Sequence, residues 1–265
     1  MGKPEYIEIF NDTMQMCKTD PALAKSLGTS LEKQYFLSET ADLSLGGTPK
    51  DKPAKMIVSR KRTFEAAEAY KGKKVCVLNF ASARNPGGGV VNGASAQEEC
   101  LCRISTLYPC LADKRIFESF YLPHRTMFRD TLYNSDLIFT PNVTVFKSDT
   151  YMPAPRPRKE WFETDVITCA APNLGANTRL DNARLEKLHT ERGERIFLTA
   201  IKEGAEVLIL GAFGCGAFRN PPAAVARAYK TLTEIYAAYF DTIEFAVYCS
   251  PKNSSNFDTF KKILT

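Results

Sequence analysis

Three consecutive glycines and an acidic pair are the residues of this chain best suited to chemistry. Gly87, Gly88 and Gly89 lack Cβ atoms, so the backbone can take positive φ there and let a ligand contact its N–H groups. After a seven-residue spacer comes Gln-Glu-Glu, which contains Glu98 and Glu99. Two neighbouring carboxyl groups in a closed site cannot both ionise freely, so one can hold a proton near neutral pH. The pattern predicts acid/base chemistry on a ligand held against bare backbone.

The elements that position the acids are predicted from the same stretch. Residues 75–80 are an apolar run typical of a strand, Asn85-Pro86 breaks regular structure, and residues 98–111 favour a helix. Adjacent helical residues diverge by about 100°. Both acids can therefore face one pocket only at a loop-to-helix junction, which the glycine-rich spacer permits. The alternative is that they complement the positive end of the helix dipole. Gln97 is a candidate substrate-binding residue in a supporting role, although an ordinary first-turn residue is the favoured interpretation.

A second glycine loop follows another predicted strand. A near-continuous apolar run over residues 206–210 leads into Gly211–Phe218, and Asn220-Pro221-Pro222 then opens a predicted helix. A strand, a glycine loop and a helix N-terminus together present backbone amides and a helix dipole to a phosphate. The alternative is a tight connection in which the glycines serve packing alone. Because two such loops follow strands, and ligands bind at the carboxyl ends of strands in open α/β sheets, we favour ligand binding.

These two stretches resemble one known family. Gly-Gly-Gly, seven residues, then Gln-Glu-Glu looks like the signature of poly(ADP-ribose) glycohydrolases, and N-F-A-S-A-R-N-P-G-G-G-V-V-N-G is similar to their microbial branch, a macrodomain-type fold. L-G-A-F-G-C-G-A-F-R-N-P-P is similar to the diphosphate-binding loop of macrodomains. The resemblance extends from about Val75 to the last predicted strand.

The resemblance implies hydrolysis of the ribose–ribose O-glycosidic bonds of poly(ADP-ribose), with release of ADP-ribose. It assigns Glu99 as the general acid/base and Glu98 as a ligand of hydroxyl groups on the leaving ribose. The first glycine run would let the distal ribose approach the acid, and Phe218 would pack on the ribose beside the diphosphate. The residues implied in holding the diphosphate are Gly214, Cys215, Gly216 and Ala217.

Two other functions remain open from the sequence. A macrodomain can bind ADP-ribose without turning it over, although such a reader needs the glycine loops and not both Glu98 and Glu99. A hydrolase that removes single ADP-ribose units from protein or nucleic acid would use the same two glycine loops. The expected partners are poly(ADP-ribose) or an ADP-ribosylated protein, with ADP-ribose as product, no cofactor and no stable nucleic-acid partner.

Alternating strand and helix patterns predict an α/β protein. With the resemblance, we expect a three-layer α/β/α macrodomain-like core with a mixed sheet over residues 71–265. Residues 1–70 are expected to form a helical extension packed on this core, and Asp20-Pro21 marks a helix start within it. Lysines and arginines at positions 50–62 could form a basic patch, but solvated side chains are the favoured interpretation.

Composition indicates the class of protein and its cellular location. The 265 residues are 44% hydrophobic and 25% charged, with a net charge of +5, as in ordinary globular proteins. No apolar run approaches the roughly 18 residues of a membrane span, and the N-terminus lacks the pattern of a signal peptide. The eight cysteines are expected to be reduced, which favours a cytoplasmic protein.

The histidines and cysteines show no pattern of a metal site or of nucleophilic catalysis. Neither His124 nor His189 completes a zinc-type spacing with the cysteines, so no metal is expected. Cys215 could act as a nucleophile, but neither histidine is close to it in sequence, and a packing role is favoured. His189, in the middle of a predicted helix, is expected to lie on the surface.

Overall fold

The computed structural model describes residues 3–127, 130–175, 180–250 and 252–265. In these ranges seven strands form one mixed sheet, in the order β1-β4-β5-β3-β6-β7-β2. The predicted α/β class with a mixed sheet is confirmed. The strands are β1 (Tyr35–Leu37), β2 (Lys55–Ser59), β3 (Val75–Phe80), β4 (Leu137–Val145), β5 (Phe162–Cys169), β6 (Val207–Leu210) and β7 (Thr242–Ala246).

The helices alternate with these strands for much of the chain. A π-helical turn, Phe117–Tyr121, joins the two short helices Lys114–Ile116 and Leu122–Thr126. The helices are α1 (Lys3–Thr19), α2 (Pro21–Lys33), α3 (Thr63–Glu68), α4 (Gln97–Ile104), α5 (Leu107–Leu111), α6 (Lys114–Ile116), α7 (Leu122–Thr126), α8 (Asn182–Lys202), α9 (Pro222–Tyr236) and α10 (Ser255–Leu264).

One compact unit comprises Met1–Leu37, Asn79–Phe128 and Asp136–Cys169. Its strands β1, β4 and β5 pair antiparallel. The sequence predicted two short strands around Pro141-Asn142, whereas β4 is one strand with a bulge there, and Asn142 takes a φ of 56°. A bulge accommodates extra residues while the ladder continues on both sides, so the proline did not end the strand.

The predicted helix over residues 98–111 is divided into α4 and α5. The break lies at Ser105, which forms an isolated antiparallel bridge with Val145 at the end of β4. Thr106 N–H donates to Thr144 O at 3.0 Å, so the main chain here bonds to the strand instead of continuing the helix. Tertiary hydrogen bonds have overridden a local helical preference.

The second compact unit comprises Ser38–Leu78, Arg129–Ser135 and Ala170–Thr265. Here β6 pairs in parallel with β3 and β7, and β7 pairs in parallel with β2. All residues of β6 are buried, as expected for a parallel strand covered on both faces. β3 has the predicted bounds of residues 75–80.

Residues 1–70 are less uniformly helical than predicted, because they also contain β1 and β2 at the two edges of the sheet. The helix start at Asp20 is confirmed, since its Oδ1 accepts from Ala22 N–H at 2.9 Å. Several of the basic residues at positions 50–62 are engaged with neighbours in the fold. Lys50 pairs with Asp241, and Arg60 lies 4.5 Å from the ring centroid of Phe257. These contacts favour structural and solvated side chains over a basic docking patch.

The eight cysteines are free thiols. Among the residues that the structure describes, no helix is long and apolar enough to cross a bilayer. The proposed division of the chain near residue 70 remains a prediction.

Candidate functional site

The acidic pair lies in the first turn of α4. Ala96, with an extended backbone, precedes the helix, and Gln97 is its first residue. Gln97 Oε1 accepts a hydrogen bond of 2.9 Å from Phe80 N–H, at the end of β3. This hydrogen bond connects the start of α4 to the end of β3. The acids therefore lie at a loop-to-helix junction, as predicted, and Gln97 makes a contact that supports it.

Both carboxyl groups face Gly88. A Cβ at this position would overlap Glu99 Oε1 and lie 3.0 Å from Glu98 Oε2. Gly88 also takes a φ of 60°, which side chains other than glycine rarely adopt. Two adjacent helical residues therefore converge on one short stretch of backbone, because the glycine run folds back over the first turn of the helix.

Glu98 is held on both oxygens and is 3% exposed. Its Oε2 accepts from Ser82 N–H at 2.8 Å, and its Oε1 accepts from Asn79 Nδ2 at 3.4 Å. The pKa of Glu98 is raised to about 8, mainly because the group is buried; the hydrogen bond from Ser82 opposes this shift, and the charge of Glu99 adds to it. Glu98 is thus a fixed carboxyl group that favours its protonated form near neutral pH.

Among the described residues, Glu99 has a hydrogen-bond donor on one oxygen. Its Oε1 accepts from Gly89 N–H at 2.9 Å. Its Oε2 is buried and accepts no hydrogen bond from the described residues. A buried polar atom without a partner costs free energy, commonly about 1–3 kcal/mol, unless a ligand or water bonds to it. Of the two acids, Glu99 is the one with a carboxyl oxygen that accepts no hydrogen bond from the described residues.

The raised pKa of Glu98 predicts a dependence of stability on pH. Between the unfolded value of 4.5 and the folded value of about 8, the native state binds more protons than the unfolded state. The free energy of unfolding therefore falls as pH rises through this window. Glu98→Gln should lose that part of the dependence, so its Tm should improve relative to wild type from pH 5 to pH 8. Thermal melts of both proteins across this range measure it, and a constant difference in Tm would contradict it.

The second glycine loop belongs to the second compact unit, and Gly214 is its most constrained residue. Gly214 has a φ of 76°, and a Cβ there would lie 2.5 Å from Asn220 Nδ2 and 2.6 Å from Ala171 Cβ. The amide of Asn220 donates to Pro172 O at 2.7 Å and to Gly214 O at 3.0 Å. The loop is thus folded tightly around one buried asparagine, just before α9.

His189 supports this loop from α8, so the expectation that it lies on the surface was wrong. It is 2% exposed, and its Nε2 lies 3.0 Å from Asn220 Oδ1. Because the Asn220 amide nitrogen donates to carbonyls, Oδ1 is the acceptor and His189 Nε2 carries the proton. Burial lowers the pKa of His189 to about 4, so the ring is neutral at physiological pH.

The tip of the loop is accessible. Gly216 and Ala217 are exposed, and a Cβ at Gly216 would meet no protein atom within 4 Å. Phe218 is half-buried, and its carbonyl accepts from Leu174 N–H at 3.1 Å. Burial raises the pKa of Cys215 to about 12. Its thiol therefore stays protonated at neutral pH, which argues against a nucleophilic role.

Sequence reasoning missed several residues that shape these two loops. Asn79 binds Glu98, and its signal was a polar residue at the end of an apolar strand. Asn220 and His189 are 31 residues apart in the chain, so no local pattern joins them. Of these two residues, only Asn220 had a local sequence signal, because it is a polar residue next to the two prolines at the start of α9.

Known proteins with this architecture were found by comparison. The family model of the microbial-type poly(ADP-ribose) glycohydrolase (PARG) catalytic domain matches residues 8–148. The crystal structure of poly(ADP-ribose) glycohydrolase from Thermomonospora curvata is similar, with 30% identity, a TM-score of 0.85, and coverage of 97% of this chain and 98% of that one. A search of curated protein sequences gave no match.

Two ligand complexes are also similar to this chain. The Thermomonospora curvata enzyme bound to the inhibitor ADP-HPD has 30% identity and a TM-score of 0.83, over 97% of this chain and 98% of that one. The Deinococcus radiodurans enzyme in complex with ADP-ribose has 31% identity and a TM-score of 0.76, over 90% and 96% of the two chains. The chain therefore belongs to the microbial-type poly(ADP-ribose) glycohydrolases, glycosidases that act on poly(ADP-ribose).

Proposed function

We propose that this chain hydrolyses the ribose–ribose O-glycosidic bonds of poly(ADP-ribose) with Glu99 as the general acid/base. The observation that carries the assignment is the difference between the two acids. Both oxygens of Glu98 accept hydrogen bonds from the protein, whereas Glu99 Oε2 is buried and accepts none from the residues that the structure describes. We therefore assign the proton transfer to Glu99, the acid that accepts fewer hydrogen bonds from the described residues.

The proposed reaction has two proton transfers through Glu99. Protonated Glu99 gives its proton to the oxygen of the leaving ribose as the bond from that oxygen to the anomeric carbon breaks. An oxocarbenium-like centre forms, as in other glycosidases. Water then bonds to the anomeric carbon and returns a proton to Glu99, which ends the cycle in its starting form. One water is consumed, and one ADP-ribose unit leaves the chain.

Glu98 contributes charge and position in this scheme. Its pKa of about 8 means that the pair retains a proton near neutral pH. We infer that this proton reaches Glu99 before the reaction, since both carboxyl groups face Gly88. We assign Glu98 to hydrogen bonds with hydroxyl groups of the leaving ribose, and Gln97 to holding the first turn of α4 in place.

The glycine loop before α9 is proposed to bind the diphosphate of ADP-ribose. Its exposed tip offers main-chain N–H groups, and the first turn of a 15-residue helix follows it. Phe218 would pack on the adjacent ribose, and the run from Gly87 to Gly89 would let the distal ribose approach the acid. The complexes of the related enzymes with ADP-ribose and ADP-HPD support this choice of ligand.

Gly216→Val tests the diphosphate assignment. A Cβ at this position would meet no atom of the described residues within 4 Å, and the position is exposed, so the variant should fold with little loss of Tm. It should weaken ADP-ribose binding by at least about tenfold, because the branched side chain occupies the space of the phosphate oxygens. Calorimetric titration with ADP-ribose measures the change. Unchanged affinity in the folded variant would show that the loop is a structural connection.

We also propose that the protein acts in the cytoplasm, where its eight free thiols would stay reduced. The substrate is poly(ADP-ribose), free or attached to a protein. Incubation with automodified, polymer-bearing protein and with mono-ADP-ribosylated protein distinguishes cleavage of the polymer from removal of the last unit. The proposal expects free ADP-ribose from the first substrate; release from the second alone would contradict it.

A further inference from the structure

We propose that Arg103 is a positioning residue for Glu99, and that Tyr6 of α1 holds Arg103 in this role. The inference rests on the proposed function of Glu99 as the acid/base. It gives the first helix of the chain a part in catalysis, through contacts that all lie within the first compact unit.

A chain of hydrogen bonds connects the guanidinium to the acid. Arg103 Nη2 donates to Ala94 O. The N–H of Ala94 donates to Gly89 O at 3.1 Å. The N–H of Gly89 in turn donates to Glu99 Oε1 at 2.9 Å. Ala94 is thus held at both its N–H and its carbonyl. Arg103 stabilises the turn at Ala94, this turn positions the N–H of Gly89, and that N–H orients Glu99.

Arg103 is itself held firmly. It is 1% exposed, and a buried guanidinium is costly unless its N–H groups are bonded. Its Nε donates to Tyr6 O at 3.3 Å, and its central carbon lies 4.4 Å from the centroid of the Tyr6 ring. Cation–π attraction of this kind strengthens when the partners are removed from water. Tyr6 thus accepts the hydrogen bond from Nε and packs its ring on the guanidinium.

α1 supports the glycine-rich loop at two more places, directly at Gly93 and through the ring of Tyr108 at Gly87. A Cβ at Gly93 would overlap the carbonyl oxygen of Lys3, so the turn lies directly against the start of the helix. Phe10 packs edge-on against Tyr108, with ring centroids 4.8 Å apart, and the Tyr108 ring lies 2.7 Å from where a Gly87 Cβ would be. The helix therefore braces both ends of the loop that carries the Gly89 amide.

A buried arginine could also serve stability alone, and a double-mutant cycle separates the two roles. Arg103→Met should lower kcat on poly(ADP-ribose) by about 10- to 100-fold, the usual cost of a small misplacement of a catalytic group. KM should change little. Arg103→Lys should recover part of the loss, because an ammonium can still donate to Ala94 O. In a Glu99→Gln background, Arg103→Met should reduce the residual rate by less than about threefold.

Tyr6→Leu is the second variant, and it repeats the cycle if Arg103→Met does not fold. We expect Tyr6→Leu to lower kcat by about 3- to 10-fold in the wild-type background and hardly at all with Glu99→Gln. Asp12→Asn is the control, since it loosens α1 at a different contact, the 2.6 Å ion pair with Lys147. It should lower Tm and leave kcat unchanged.

The possible results separate this inference from the function on which it rests. Suppose that Glu99→Gln is impaired but Arg103→Met or Tyr6→Leu lowers kcat by the same factor in the wild-type and Glu99→Gln backgrounds. The positioning role of Arg103 would then be wrong, while the assignment of Glu99 as the acid/base would remain. An equal loss of kcat in Asp12→Asn would also overturn it, because any loosening of α1 would then suffice. If Glu99→Gln keeps the wild-type rate, the assignment of Glu99 fails first.

Discussion

Glu99→Gln should lower the rate of poly(ADP-ribose) cleavage by about two to four orders of magnitude, the usual contribution of a positioned general acid or base. Glutamine keeps the size of the side chain, and its oxygen can still accept the Gly89 N–H hydrogen bond, which is 2.9 Å long with glutamate. The amide cannot deliver a proton. ADP-ribose affinity should change far less, because the proposed diphosphate loop is untouched. Steady-state kinetics and calorimetric titration measure the two quantities.

Glu98→Gln is the matched control for this result. Glu98 accepts hydrogen bonds from Asn79 and Ser82, and we also assign it to the hydroxyl groups of the leaving ribose. The main expected effect of the substitution is a rise in KM, because these hydroxyl groups lose a partner while Glu99 can still deliver a proton. A larger fall in kcat for Glu98→Gln than for Glu99→Gln would exchange the proposed roles of the two acids.

Gly88→Ala should abolish most of the activity through a single methyl group. That methyl would overlap Glu99 Oε1 and lie 3.0 Å from Glu98 Oε2, so both carboxyl groups must move. The positive φ of 60° adds a backbone cost of roughly 1–2 kcal/mol for alanine. We expect kcat to fall by about a hundredfold, because a displacement of this size misaligns the acid. Initial rates of the folded variant on poly(ADP-ribose) test it.

Gly28→Ala provides the comparison for Gly88→Ala. Gly28 lies in α2, and a Cβ there would meet no atom within 4 Å. Alanine should be tolerated, and it favours a helix by up to about 1 kcal/mol over glycine. The activity of Gly28→Ala should equal that of wild type. Near wild-type kcat in Gly88→Ala would mean that the carboxyl groups do not need their contact with this glycine.

The buried strands and the acid loop could be predicted from sequence, because their signals are local. β3 and β5 have the predicted bounds, since each is a short, mostly buried run of strand formers. The acid pair was located because three glycines and two neighbouring acids are unusual together. β1 and β2 were missed. Both are edge strands of only 3 and 5 residues, and their side chains are mostly half-buried.

The supports of the site could not be predicted, because they depend on long-range contacts. Arg103 and Tyr6 are 97 residues apart in the chain, and nothing local to either indicates that they meet. His189 looked like an ordinary polar residue of an amphipathic helix until its bond to Asn220 placed it inside. The division between α4 and α5 also arose from the partner strand β4 and not from residues 98–111 themselves.

The most direct test of the central claim, that Glu99 protonates the leaving oxygen, is to vary the leaving group. Wild type and Glu99→Gln should be compared on poly(ADP-ribose) and on 4-nitrophenyl ADP-ribose, whose phenolate leaves without protonation. The account predicts that the deficit of the variant, about two to four orders of magnitude on the polymer, shrinks to less than about tenfold on the activated substrate. An equal deficit on both substrates would contradict the assignment of Glu99 as the acid.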